Sequence, residues 1–292
     1  MQAAPVWDRP GTLKMGNAAS FGTPEHELGR TARAEARGVF YAMRSDPGRI
    51  RSANEDFCAA LPEHGVFVVC DGMGGCAAGE IASHLAAEAF LNHLSPGQRT
   101  APASCSESSS APRTRLQQAV RAANQAVFQR AQRSSSLKGM GTTLVALLWQ
   151  SLPGDLNPIL WLAHVGDSRA YRIRGGAAQQ ITVDHSLVEE QVRAGLIDRM
   201  QAESSPVRNI ITRAIGTQAT VEVDIVSHPA QRGDLYLLAS DGLTRELSEV
   251  QIAELLARYS VTELDAACEA LVDAANRHGG RDNITVLLVA CP

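Results

Sequence analysis

Apolar residues recur every three or four positions along GEIASHLAAEAFLNHL (79–94) and TRLQQAVRAANQAVFQRAQ (114–132), which places them on one helix face and predicts two amphipathic helices. Beyond residue 140 the texture changes to short runs rich in β-branched and large apolar residues: TTLVALLWQ, PILWLAHV, RAYRIR, QQITV, VEVDIVSHP, DLYLLAS and NITVLLVA. These read as strands. Between QQITV and VEVDIV the segment 184–215 interrupts the strand pattern, and its S-x-x-E at 186–189 predicts a capped short helix. SEVQIAELLARY and TELDAACEALVDAANRH predict two more helices, the first opening on S-x-x-Q and the second on Thr262 as N-cap. Strands that cluster and pair locally point to an α+β chain of antiparallel sheets covered by helices, and away from a doubly wound parallel sheet.

Residues 1–35 mix Pro, Gly, polar and charged residues without a clear period, so a flexible extension is expected ahead of a domain spanning 36–292. The Ser-, Pro- and Ala-rich stretch 95–113 reads as a low-complexity surface loop. Composition changes this picture little. The chain has 292 residues, a net charge of −4 and six scattered cysteines without a C-x-x-C pair, so a sizeable core and reduced thiols are expected. No basic stripe offers a footprint for nucleic acid or an anionic membrane, and no apolar run has the length of a bilayer span. The expected setting is cytoplasmic.

The candidate chemistry lies at strand ends. In FVVCDGMGG (67–75) an unbroken apolar run stops at Asp71, and DLYLLASDGL repeats the arrangement with Asp241. Asp167 sits in AHVGDSRAY between two strand segments, where Gly166 and Ser168 make a tight reversal, and Asp282 stands at the entry to the last strand. RSANEDF (51–57) sets Glu55 beside Asp56. If these ends converge, so many carboxylates require cations. Ligation by oxygen alone suits Mg²⁺ or Mn²⁺ and not zinc, for which His and Cys would be expected.

R-x-x-N-E-D (51–56), D-G-M-G-G (71–75), G-M-G-T-T (139–143), V-G-D-S-R-A-Y (165–171), D-H-S-L-V (184–188), R-A-I-G (213–216), S-D-G-L (240–243) and G-G-R-D-N-I-T-V (279–286) follow one another in order. From about residue 36 to the end, this series resembles the motifs of the metal-dependent protein phosphatases, type 2C, in their bacterial branch. The resemblance implies a sandwich of two antiparallel β-sheets with helices on both outer faces, and a flap at 184–215. It implies phosphoserine and phosphothreonine in proteins as substrates and a cognate serine/threonine kinase as partner. It also implies that Asp71 bridges two divalent ions, that Asp241 and Asp282 complete the first, and that the Gly72 carbonyl with Glu55 serves the second.

Asp56 then ligates or orients water, and Asp167 either shapes a reversal or helps Asp241 hold a weaker third ion. Hydroxide bridging two such ions would attack phosphorus in line, with Arg51 gripping the phosphoryl oxygens. Met73 stands where animal members usually carry a proton-donating histidine, so water on a metal is the expected acid. GMGTT reads as close packing, and His185 and Cys76 as bystanders. Two rival readings remain: a binding module on the same fold with its chemistry lost, and a nucleotide-binding α/β protein. Retention of every carboxylate opposes the first, and the lack of a G-K-[ST] opposes the second.

Overall fold

The computed structural model describes residues 32–34, 39–74, 77–95, 111–151 and 158–291. Cys76, the extension apart from 32–34, and the loop 95–113 apart from 95 and its last three residues lie outside the described residues. The chain runs β1 (Ala32–Ala34), β2 (Val39–Asp46), β3 (Asp56–Leu61), β4 (Val66–Met73), α1 (Ala77–Leu94) and α2 (Pro112–Gln132). Then come β5 (Gly141–Thr142), β6 (Leu144–Gln150), β7 (Ile159–Val165), β8 (Arg169–Arg174), β9 (Ala177–Gln180), α3 (Leu187–Arg193) and α4 (Arg199–Glu203). It closes with β10 (Asp224–Pro229), β11 (Leu235–Ala239), α5 (Asp241–Thr244), α6 (Glu249–Leu256), α7 (Leu264–His278) and β12 (Ile284–Ala290).

One sheet has the order β1-β2-β12-β11-β8-β9 and the other β10-β7-β6-β4-β3, with β5 beside β4. Every pairing is antiparallel. The period of two in each central strand sorts side chains between layers. In β4, Val66, Val68 and Cys70 pack with Phe90, Val120 and Val127 of α1 and α2, whereas Phe67 and Val69 face inward. In β12, Val286 and Leu288 pack with Leu271 and Val272 of α7, whereas Leu287 and Val289 face inward. The inward set joins Tyr41, Leu147, Leu162, Tyr236 and Leu238 in a core between the sheets. Both faces of these strands are buried, which is why they read as continuous apolar runs.

Four details differ from the sequence expectation. β2 and β3 were not among the expected strands, and residues 32–34, assigned to the extension, pair with β2 as an edge strand. The QQITV strand shifts back to β9 because Gly175 and Gly176, both with positive φ, make the turn that fixes Tyr171 opposite Gln180. Ser248 forms the full capping box with Gln251, while Ser186 receives only the Glu189 N–H. Thr262 does not cap α7; the cap position is Glu263, which makes no side-chain cap bond. The four described cysteines outside the masked segments, 58, 70, 268 and 291, are free and buried, as expected.

Candidate metal centre

Asp71 and Asp56 sit opposite each other at the end of the β3–β4 pair. The backbone of Asp71 is locked by GMGTT: its N–H donates to Thr143 Oγ1 at 2.9 Å, and its carbonyl accepts the Thr143 N–H at 2.9 Å and the Thr142 hydroxyl at 2.8 Å. This matches the close-packing reading of that motif. Gly72 donates its N–H to the Glu55 carbonyl at 3.1 Å. A Cβ on Gly72 would lie 2.2 Å from the Gly79 carbonyl oxygen and 2.5 Å from that of Glu55, so only glycine lets the strand end, the acidic loop and the first turn of α1 meet.

The other carboxylates come from the opposite sheet. Asp241 opens α5 directly after β11, and a Cβ on Gly242 would lie 1.9 Å from the Asn283 carbonyl oxygen. This presses Asp241 against the Asp282–Asn283 step. Asn283, which is buried, then ties in the acidic loop: its amide donates to Pro47 O at 3.0 Å and Ala53 O at 2.9 Å, and its Oδ1 accepts the Glu55 N–H at 2.8 Å. Asp167 lies where the chain leaves β7 in one sheet for β8 in the other. The GDS reversal is thus a crossing between sheets, braced by a 2.7 Å bond between the Ser168 and Thr143 hydroxyls.

Burial raises the carboxyl pKa values of Glu55, Asp56, Asp71, Asp167 and Asp241, and neighbouring carboxylates raise them further. Asp56 is pushed up to about 6 by burial, with the Thr285 and Ser240 hydroxyls opposing the shift and Asp282 adding to it. Asp241 is pushed up to about 8 by burial and by the charge of Asp167, against the pull of Arg245. Asp71 lies well above the usual range through burial and the charges of Asp56, Asp241, Asp167 and Asp282. Burial also raises Asp167 and Glu55. Arg51 Nη2 reaches Asp282 Oδ2 at 2.9 Å and stays half exposed at the rim. Arg245 contacts both Asp241 and Asp282.

All eight residues singled out from the sequence, Arg51, Glu55, Asp56, Asp71, Gly72, Asp167, Asp241 and Asp282, therefore meet at one edge of the seam between the sheets. The donors fit hard divalent cations: they are oxygens, they are crowded in mutual repulsion, and Asp56 Oδ2 is buried without a hydrogen-bond partner. Asn283, Thr143 and Arg245 were not foreseen as part of the centre. Asn283 and Thr143 lie inside quoted motifs, and Arg245 is one helical turn from Asp241.

A tighter cluster, His164, His185 and Asp224, sits at the root of the segment 184–215 with ligand atoms within 4.8 Å of one another. Its hydrogen bonds suit a clasp better than an ion. Gly166 donates to His185 Nδ1 at 3.1 Å, which leaves the proton on Nε2 facing Asp224 Oδ2 at 3.4 Å, and Arg213 Nη1 donates to Oδ1 of the same carboxylate at 3.1 Å. Burial, with the charges of His164 and Arg213, lowers the His185 pKa to about 4. The His185 N–H also donates to the Gly166 carbonyl at 2.9 Å, and Arg169 forks onto Asp184. His185 is thus no bystander; it fastens the segment 184–215 to the residue preceding Asp167.

A helix-covered double sheet whose edge gathers carboxylates from both halves defines an enzyme built around hard divalent cations. The family model for protein phosphatase 2C matches residues 50–275. The serine/threonine phosphatase stp of Listeria innocua is 37% identical over 250 residues, covering 85% of this chain and 94% of the relative. The crystal structure of the Mycobacterium tuberculosis serine/threonine phosphatase PstP/Ppp superposes with a TM-score of 0.74 at 37% identity, covering 86% of this chain and 98% of that one. The catalytic domain of PstP in complex with two manganese ions gives 0.71 at 36% identity, covering 86% and 97%. The chain belongs to the protein phosphatase 2C family and is a metal-dependent phosphatase.

Proposed function

We propose that the carboxylate edge is the catalytic centre of a serine/threonine protein phosphatase that hydrolyses phosphoserine and phosphothreonine monoesters in proteins. The observation that carries this reading is the meeting of buried Asp56 with half-buried Asp71, Asp241 and Asp282, mutually repelling, from opposite sheets. Asp71 would serve both of two Mn²⁺ or Mg²⁺ ions, Asp241 and Asp282 one of them, and Glu55 with the Gly72 carbonyl the other. Asp56 would ligate an ion or orient its water, and Asp167 with Asp241 would hold a weaker third ion. When bound, the ions supply an activated water and a positive field for the phosphoryl oxygens.

The chain's own residues orient and exclude. Arg51 spends one N–H on Asp282, which leaves donors of the same planar fork for two phosphoryl oxygens. Met73 cannot give a proton to the leaving alkoxide, so that proton comes from solvent at the centre. The segment 184–215 is the flap beside the site, and 36–292 is the catalytic domain. The substrate must be made by phosphoryl transfer to serine or threonine hydroxyls, which implies a cognate kinase. A cytoplasmic setting fits such partners, and among the described residues no helix is long and apolar enough to cross a membrane.

The test is phosphate release from a phosphothreonine peptide with Mn²⁺, with EDTA, and after Mn²⁺ is restored. Activity that vanishes with chelator and returns with metal is expected. Undiminished turnover in excess EDTA overturns the mechanism, and no turnover under any condition favours a binding module.

A further inference from the structure

Arg245 occupies an unusual place for a cation in a site that must receive cations. It follows the four-residue helix α5, and its N–H donates to the Asp241 carbonyl at 2.8 Å. This helical turn brings a side chain at i+4 back over residue i. Its Nη2 pairs with Asp241 Oδ2, and its Nη1 lies 3.3 Å from Asp282 Oδ2. The Arg245 side chain is one-third exposed, whereas those of Asp241 and Asp282 are 15% and 22% exposed, so the arginine is the more solvent-facing partner of both pairs. Its charge also favours ionised Asp167 and Asp241. One tethered cation thus faces carboxylates from three chain segments.

We propose that Arg245 is an internal competitor of the divalent ions: it neutralises Asp241, shares Asp282 with Arg51 as the more distant of the two guanidinium groups, and must leave Asp241 before that paired oxygen can ligate metal. This rests on the assignment of Asp241 and Asp282 as ligands. The physical reason is that a carboxylate oxygen engaged by a guanidinium is not open to an ion at ligand distance, and two like charges repel across that gap. The tether keeps the competitor at the site at constant effective concentration, so it sets a threshold of metal below which the centre stays closed by its own ion pairs.

The test compares wild type, Arg245→Gln, Arg245→Lys and Asp241→Asn by calorimetric titration with Mn²⁺ and by thermal melting with and without Mn²⁺. Arg245→Gln should bind Mn²⁺ more tightly, by roughly 5- to 30-fold, the factor that one or two kcal/mol represents. Its metal-free melting temperature should fall, because the carboxylates lose their counter-charge, while its stabilisation by Mn²⁺ should grow. Arg245→Lys, which keeps the charge, should stay nearer wild type in both readouts. Wild-type or weaker Mn²⁺ affinity in a folded Arg245→Gln overturns the inference. Asp241→Asn separates the two layers: if it binds Mn²⁺ like wild type, the ligand assignment itself fails. If it loses Mn²⁺ while Arg245→Gln is unchanged, only the competition fails.

Discussion

Asp71 and Asp56 face each other across a strand pair, and burial holds both above the usual carboxylate range. Such a pair destabilises a metal-free fold and becomes an asset only when a cation answers it. Asp71→Asn should therefore lower turnover by several orders of magnitude and leave the metal-free melting temperature unchanged or higher. Phosphopeptide kinetics beside a melt without metal would check both halves, and a collapse of the fold would make Asp71 structural. Arg51 is different, because its half-exposed pair with Asp282 contributes little to stability. Arg51→Ala should reduce kcat/KM by about 1.5–3 kcal/mol, mostly through KM, and change Mn²⁺ affinity only slightly. Loss of metal binding, or wild-type kcat and KM, would remove Arg51 from the phosphate.

At the level of elements, the site depends on backbones meeting without side chains between them. Gly72→Ala would drive a methyl group into the carbonyls of Gly79 and Glu55, so the start of α1 and the acidic loop must part. The expected cost is about 1–3 kcal/mol in urea unfolding, together with weaker Mn²⁺ binding. A variant equal to wild type in both would show that the junction is loose.

Asp234, at the entry to β11, illustrates an element tied by charge. Burial disfavours its ionised form, but the Arg174 fork at 2.6 Å, the Gln231 N–H and the Tyr236 hydroxyl outweigh that and hold its pKa below the usual value. A carboxyl depressed by folding stabilises above its unfolded pKa and loses that contribution as pH falls through the folded one. Asp234→Asn should thus lower the melting temperature at pH 7, with the gap closing toward pH 3. A gap independent of pH would mean that the charge is irrelevant.

The long, strongly periodic elements were legible in the sequence. α1, α2, β8 and β12 fall within a few residues of their expected positions because a period fixes them. β3 escaped because DFCAAL has little β-branched or aromatic character, and β2 because the polar Arg44 and Ser45 end its apolar run. The glycine and aspartate motifs announced the centre, but one-residue offsets could not announce which backbone bonds hold it. Asn283 ties loops that are more than two hundred residues apart, and the Asp241–Arg245 pair needs α5, a turn too short to carry a helical period.

For the whole molecule, the Asp282 and Asp241 carboxylates belong to one sheet and those of Asp56 and Asp71 to the other, with Asp167 on the crossing between them. A cation held between these carboxylates, as proposed, would be a rivet through a seam that is otherwise closed by apolar contact. Its binding energy then adds to the work of prising the halves apart and not only to the order of one loop. In hydrogen exchange, the amides of β4 and β11 should slow together on Mn²⁺ loading and converge on one opening free energy. If only one sheet gains protection, the rivet does not reach through. The reactive centre would accordingly double as the clamp between the halves, and a cell short of metal would hold an enzyme that is both idle and easier to split along its midline.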